Sequence, residues 1–168
     1  MQKKWGTSTN DTELLLQKRV KAGFASYLTF IVLTCLNLVI VMFEIGFTFP
    51  FSAVIPELPL RFGQSYYQEE GAIWAYVIGF LLALILASIY LLLYFLSKKK
   101  MLAIYITIGL VMLDTLILIL LSFVDLVGVL VDLLFHAWVI FALVGLLQSK
   151  FKLDLLEKNV KTEKTKRW

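Results

Sequence analysis

The chain has 168 residues, of which 60% are hydrophobic and 17% are charged, and its formal net charge is +4 at pH 7. Soluble domains contain about 45–50% apolar residues. The excess argues against an ordinary soluble protein and indicates a chain whose surface is covered by lipid. A single cysteine, Cys35, excludes an internal disulfide and argues against thiol–disulfide chemistry.

Four long apolar runs predict four membrane-spanning helices. The runs cover residues 23–43, 72–96, 101–124 and 126–147. A spanning helix needs about 20 apolar residues to cross a hydrocarbon core of about 30 Å. Since each run reaches that length, the sequence predicts an all-α fold, a transmembrane four-helix bundle within residues 23–148.

The basic residues predict the orientation of these spans. All but one of the 16 lysines and arginines lie before the first run, between the second and third, or after the fourth. Four crossings put these three segments on one side of the membrane. The positive-inside rule then predicts a plasma-membrane protein with both termini in the cytoplasm. We expect the basic residues to attract anionic lipid, by about 1 kcal/mol each near the surface, and we predict no role in nucleic-acid binding.

The two ends of the chain are predicted to be cytoplasmic segments. Residues 1–22 are expected to include a short helix over 12–22. This helix either lies at the membrane interface or runs straight into the first span, with Gly23 as a bend. Residues 149–168 are predicted to form a basic tail into which the last helix continues past the membrane.

A long and unusually apolar connection, residues 44–71, follows the first span and is predicted to be an outer loop. Its prolines are expected to prevent a continuous helix: Pro50, Pro56 and Pro59. Ser52 is expected to cap a helix of about one turn. Such a loop either folds back over the headgroups and the bundle, or acts as a lid or a partner-docking surface.

Three ionisable residues, Asp114, Asp132 and His136, lie inside the predicted spans. An isolated aspartate at a bilayer centre costs about 2.5–3.5 kcal/mol. Asp132 and His136 are four residues apart and therefore share a helical face. Counting 1.5 Å per residue puts Asp114 roughly 20 Å and His136 roughly 17 Å from the cytoplasmic surface, so we expect them to touch.

This intramembrane polar cluster has several interpretations. It is either a hydrogen-bond clamp between the third and fourth spans, or a proton relay or cation site. A metal site is the least favoured interpretation, because the chain has a single histidine and no cysteine beside it. Nearer the outer surface, Asn37, Glu44 and Ser52 are candidates for a polar mouth, where the positive end of a short helix would face Glu44 or a bound anion.

The sequence contains none of the HExxH, GxSxG or P-loop motifs. We therefore expect a non-enzymatic protein without a cofactor, an accessory or interaction subunit that binds a membrane-protein partner or a second copy of itself. The alternative hypothesis is a small proton-coupled transporter or ligand-binding bundle that uses Asp114, His136 and Asp132.

The segment FPFSAVIP at residues 49–56 follows a first span that contains LNLV at 36–39. This arrangement resembles a group of uncharacterised small four-span integral membrane proteins of low-GC Gram-positive bacteria. The resemblance implies a membrane location and a four-span topology, and it implies no activity.

Overall fold

The computed structural model describes residues 6–44, 51–121 and 126–165 and contains only α-helices within these ranges. There are five: α1 (Gly6–Met42), α2 (Val54–Glu70), α3 (Ile73–Lys99), α4 (Met101–Leu121) and α5 (Leu126–Thr165). By length and composition, α1, α3, α4 and α5 are able to cross a membrane. The predicted count of four apolar helices is confirmed, and the chain is a multi-pass membrane protein. Residues 1–5, 122–125 and 166–168, which belong to the predicted termini and third connection, lie outside the described residues, as do residues 45–50.

The first and last helices of the chain, α1 and α5, are much longer than is needed to cross a membrane. With 37 and 40 residues, they measure about 56 and 60 Å at 1.5 Å per residue. Because α1 is continuous, residues 12–22 run straight into the span and form no separate helix. Gly23 is not a bend: a Cβ atom there would lie 2.7 Å from the Cβ of Leu146, so glycine allows α1 and α5 to pack closely.

The segment predicted to be an outer loop is largely a helix, and the prediction that its prolines would restrict it to one turn was wrong. α2 has 17 residues and contains Pro59 in its interior. Pro56 lies in the first turn, where a backbone N–H has no partner within the helix. The helix ends at Gly71, whose φ of 68° is the left-handed conformation that glycine adopts without strain.

Contact with α3 explains why α2 tolerates Pro59. A Cβ atom on Gly79 would lie 2.3 Å from the carbonyl oxygen of Pro59, and one on Gly63 would lie 2.6 Å from that of Ala75. The two helices therefore meet backbone to backbone, which only glycine permits at both positions. This close packing compensates for the hydrogen bond that Pro59 removes.

α2 is a re-entrant helix, because its N-terminus lies inside the bundle. The backbone nitrogen of Ala53 lies 2.9 Å from the Oγ1 of Thr34, and Thr34 is eight residues, or about 12 Å, from the end of α1. Further along α2, the side chain of Gln64 donates to the carbonyl of Val41 at 2.7 Å. We call residues 51–55 the re-entrant tip.

At the opposite end of the bundle, a lysine of α5 caps α3. The Nζ of Lys150 donates to the backbone oxygens of Ser97 at 2.7 Å and Lys98 at 3.0 Å. These carbonyls belong to the last turn of α3, where a positive charge is favourable. We call this end, which carries the α3–α4 junction, the start of α1 and the end of α5, the basic end.

Candidate functional site

The carboxylate of Asp114 in α4 caps the N-terminus of α2. Its Oδ1 lies 2.7 Å from the backbone nitrogen of Ile55, and its Oδ2 lies 3.1 Å from that of Val54. The first N–H groups of a helix have no partner within the helix and carry a partial positive charge. The side chain of Asp114 is completely buried. From another helix, it therefore accepts the hydrogen bonds that a capping residue next to the start of α2 would normally accept.

His136 in α5 contacts the same carboxylate, as the depth estimate predicted. Its Nε2 lies 2.8 Å from the Oδ2 of Asp114, and its Nδ1 lies 2.8 Å from the backbone oxygen of Asp132. A carbonyl oxygen only accepts hydrogen bonds, so Nδ1 carries a proton and one further proton lies between Nε2 and Oδ2. The carboxylate of Asp114 thus binds the imidazole ring and the two N–H groups of α2 at the same time.

The carboxylate of Asp132 does not contact Asp114 or the ring of His136 directly. Its Oδ1 accepts a hydrogen bond of 2.7 Å from the backbone nitrogen of Phe51. The side chain is half-buried, in contrast to its two neighbours. Asp132 therefore holds the start of the re-entrant tip, while its backbone orients the imidazole ring.

A second group of polar side chains holds the tip from the side of α1. Asn37 donates to the hydroxyl of Ser52 at 2.9 Å and also to the carboxylate of Glu57. The hydroxyl of Ser52 donates to that carboxylate as well. The other oxygen of Glu57 accepts from Nε and Nη2 of Arg61, at 3.2 and 3.1 Å. The side chain of Glu57 is buried, whereas that of Arg61 is 46% exposed.

Ser52 is not the N-cap of α2, contrary to the prediction. The N-cap is Ala53, which makes no side-chain capping bond. The hydroxyl of Ser52 is engaged with Asn37 and Glu57, and Asp114 satisfies the backbone groups that a serine cap would have satisfied. A sequence signal for a helix in this segment was the spacing of Glu57 and Arg61, which lie four residues apart as in a helical ion pair.

The predicted outer mouth is divided into two separate places. Asn37 and Ser52 meet at the re-entrant tip, whereas Glu44 lies 3.4 Å from the side chain of Gln68 near the other end of α2. Sixteen residues separate Ser52 and Gln68, which corresponds to about 24 Å of helix. Glu44 is therefore a surface residue that does not face the N-terminus of α2.

The cluster as a whole is fully hydrogen-bonded. Among the described residues, every buried side-chain nitrogen or oxygen has a partner. Asp114 and His136 have no exposed surface. Within the same residues, no three histidine, cysteine or acidic side chains are grouped as metal ligands. The arrangement positions a helix and holds one shared proton, and its buried groups have no contact with bulk solvent.

These features define a class, namely a multi-pass all-α membrane protein with a re-entrant helix whose tip is held by polar side chains of three spans. A scan against protein-family models, a search of curated proteins and a search of solved structures each found no match to the chain. The four apolar helices agree with the resemblance to small four-span proteins, and membership of that group stays a prediction.

Proposed function

We propose that the protein is a non-enzymatic subunit of the plasma membrane that binds a partner protein through the paired ends of α1 and α5. The observation that carries this proposal is the length of these helices. Both exceed a hydrocarbon core of about 30 Å by about 25–30 Å. Because Gly23 contacts Leu146, the excess lengths run side by side at the basic end. We call residues 12–22 and 149–159 the terminal stalk.

The terminal stalk exposes apolar side chains among charged ones. Leu15 of α1 is 60% exposed and Leu155 of α5 is 44% exposed. A cleft of about 370 Å³ lies between the two helices, and its lining combines leucines with acidic and amide groups: Glu13, Gln17, Leu153, Leu156 and Glu157. An apolar floor with acidic edges fits an amphipathic helix that carries basic residues along its polar face.

The charge distribution supports a cytoplasmic position for the terminal stalk. Lys18, Arg19 and Lys21 lie on α1 within it, and Lys150 and Lys152 lie on α5. The positive-inside rule places such segments in the cytoplasm, so the partner is a cytoplasmic protein or the cytoplasmic helix of another membrane protein. The same lysines and arginine attract anionic lipid.

The polar cluster supports a non-catalytic role. Each polar atom of Asp114 and His136 is engaged with the re-entrant tip, with the other residue or with the backbone oxygen of Asp132, and neither side chain reaches solvent. A catalytic acid or base must come within hydrogen-bond distance of its substrate. We infer that the cluster holds α2 in place and does not perform covalent chemistry.

Site-specific photo-crosslinking in cells tests the partner-binding role. A photoreactive amino acid at Leu15 or Leu155 is expected to give one recurring protein adduct, identified by mass spectrometry. The control is Leu84, which is 44% exposed in the middle of α3 and is expected to give no such adduct. Glu13→Lys together with Glu157→Lys is expected to abolish the adduct.

No recurring adduct at either position would overturn the proposal, and an adduct with a second copy of the chain would make the partner the protein itself.

A second candidate function, a small proton-coupled transporter or ligand-binding bundle, is favoured by the re-entrant helix. In many transporters, discontinuous helices end near the bilayer midplane and direct their N-termini at the substrate site. Here the N-terminus of α2 meets the ionisable pair of Asp114 and His136. In this case Asp114→Asn abolishes a pH-dependent uptake or binding signal while expression is retained. A variant that fails to assemble favours the clamp instead.

A further inference from the structure

Arg61 stands apart from the other basic residues of the chain. Of the 16 lysines and arginines, it is the one that lies between the first and second apolar runs. In the structure it belongs to the middle of α2, and its side chain is 46% exposed. A half-exposed cation on a helix that enters the membrane is costly, so its position calls for a physical explanation.

The contacts between α2 and α1 give the depth of Arg61 in the membrane. Glu57, one turn before Arg61, binds the side chain of Asn37. Gln64, three residues after Arg61, binds the carbonyl of Val41. Asn37 and Val41 are six and two residues from the end of the first apolar run. At 1.5 Å per residue, Arg61 therefore lies about 3–9 Å inside the hydrocarbon edge, where a long side chain reaches the lipid phosphates.

Arg61 lies on the face of α2 that is turned away from the bundle. The neighbouring helices contact other faces of α2, since Gly63 packs against α3 and Gln64 binds α1. Beside Arg61, the side chain of Phe62 is 70% exposed, and Ser65 is exposed as well. In a membrane this face of α2 meets lipid.

Glu57 binds one edge of the Arg61 guanidinium. Nε and Nη2 of Arg61 both donate to Oε2 of Glu57, at 3.2 and 3.1 Å. The carboxylate is itself held by Asn37 and Ser52, so it orients the guanidinium. Nη1 has no hydrogen-bond partner in the part of the chain that the structure describes. A guanidinium has five N–H donors in one plane, and the edge that carries Nη1 fits the oxygens of a phosphate.

An acidic side chain follows on the same face of α2. Arg61, Ser65 and Glu69 are spaced four residues apart and form a row along the helix. We call these three residues the α2 row. The hydroxyl of Ser65 donates to Oε1 of Glu69 at 3.1 Å, so the carboxylate of Glu69 lies at the level of Ser65. The row therefore carries a cation deeper in the membrane and an anion about one turn, or about 5.4 Å, nearer the surface.

We propose that the α2 row binds the headgroup of a phospholipid that carries both a phosphate and an ammonium group. Phosphatidylethanolamine has this chemistry. The phosphate binds the edge of Arg61 that carries Nη1, and the ammonium binds Glu69. The order of charges matches the lipid, in which the phosphate is closer to the acyl chains than the ammonium is. The site goes beyond partner binding by the terminal stalk and does not depend on it.

The depth and the charge of the site favour this class of ligand. A soluble anion has to leave water in order to reach a guanidinium inside the hydrocarbon edge, whereas a phospholipid carries its phosphate beside that edge. The same end of the bundle exposes three carboxylates, those of Glu44, Glu69 and Glu70. They repel a headgroup with a net negative charge and attract an ammonium, so a zwitterionic lipid fits better than an anionic one.

Lipid binding by the purified full chain tests this proposal. Protein in mild detergent is incubated with phosphatidylethanolamine or with phosphatidylglycerol of identical acyl chains, and native mass spectrometry measures the affinity for each lipid. Arg61→Gln is expected to weaken phosphatidylethanolamine binding by about tenfold, and Glu69→Gln by about threefold. Binding of phosphatidylglycerol at the basic end is expected to be unchanged in both variants.

Two further variants serve as controls. Arg61→Gln leaves the buried carboxylate of Glu57 without its cation, so the double variant Glu57→Gln/Arg61→Gln removes both charges together. It is expected to bind phosphatidylethanolamine as weakly as Arg61→Gln does, and thermal unfolding in detergent verifies its fold. Lys99→Gln removes an exposed charge at the basic end and is expected to leave phosphatidylethanolamine binding unchanged. Equal affinities of the double variant and Lys99→Gln would overturn the proposal.

Competition and crosslinking identify the source of the headgroup. Glycerophosphoethanolamine, which lacks acyl chains, is expected not to displace the lipid at equal concentration, and displacement would overturn a lipid site. A photoreactive amino acid in place of Phe62 is expected to give a phospholipid adduct in cells. A protein adduct there would show that a partner covers the α2 row and would overturn the proposal, even if the variants are unstable. The crosslink at Leu15 is expected to persist in the double variant, so partner binding and lipid binding are tested separately.

Discussion

The Oδ1 atom of Asp114 lies 2.7 Å from the backbone nitrogen of Ile55, although 59 positions separate the two residues in the chain. A carboxylate in the middle of one apolar helix thus caps the start of another. Burying a charge without partners is costly, and an uncapped helix start within the bundle is costly as well. Each of the two groups satisfies the other, which explains how both occur in a membrane protein.

Replacing Asp114 with asparagine is expected to lower the free energy of unfolding by about 3 kcal/mol. The amide keeps one acceptor oxygen, but its NH₂ group then faces a backbone N–H of α2 or the ring of His136. Equilibrium unfolding in mixed detergent measures the change. The control is Asp154→Asn on the exposed face of α5, for which we expect less than about 0.5 kcal/mol. Equal stability of the two variants would mean that Asp114 does not anchor α2.

Two glycine-to-alanine substitutions are expected to have opposite effects. At Gly79 the added methyl would lie 2.3 Å from the backbone oxygen of Pro59, so α2 and α3 must separate, at a cost of about 1–3 kcal/mol. At Gly109 no atom lies within 4 Å, and alanine stabilises a helix by up to about 1 kcal/mol relative to glycine. Thermal unfolding compares them. A neutral Gly79→Ala would show that the two backbones are not in contact.

Removing the charge of Lys150 is expected to destabilise the basic end. Lys150→Met loses two hydrogen bonds to the last carbonyls of α3, worth about 1–2 kcal/mol together. Lys152→Met, two residues further along the exposed surface of α5, serves as the control and is expected to leave the stability unchanged. Hydrogen exchange at the end of α3 localises the effect, which should be confined to the last turn of that helix.

Cysteine labelling tests the predicted orientation. In a Cys35→Ala background, single cysteines at Gln68 and at Thr162 occupy exposed positions at the two ends of the bundle. A membrane-impermeant maleimide added to intact cells is expected to label Gln68→Cys, and to label Thr162→Cys only after the cells are permeabilised. The reverse pattern would place the terminal stalk outside the cell and contradict the positive-inside prediction.

Hydropathy was sufficient to predict the four apolar helices, because a backbone in lipid must satisfy its hydrogen bonds within itself. Residue counting from the helix ends was sufficient to bring Asp114 and His136 together. Both inferences use only the rise per residue and the thickness of the membrane, and neither requires knowledge of the packing between helices.

The re-entrant helix was not predictable in the same way. Rules for proline describe an isolated helix, and they predicted a broken loop around Pro56 and Pro59. In the structure, α2 is stabilised by the backbone contact with Gly79 and by the carboxylate of Asp114.

The position of Asp132 in the chain has a consequence for biogenesis. The ribosome makes Phe51 81 positions before the carboxylate that binds it. During synthesis the start of α2 has none of its acidic partners from α4 and α5, so we expect it to enter the bundle only after those helices have been inserted. A nascent chain truncated after Lys100 should leave a cysteine at Ser52 open to water-soluble maleimide, and release of the full-length chain should close it. That pattern would make the insertion of α2 a late event in the assembly of the protein.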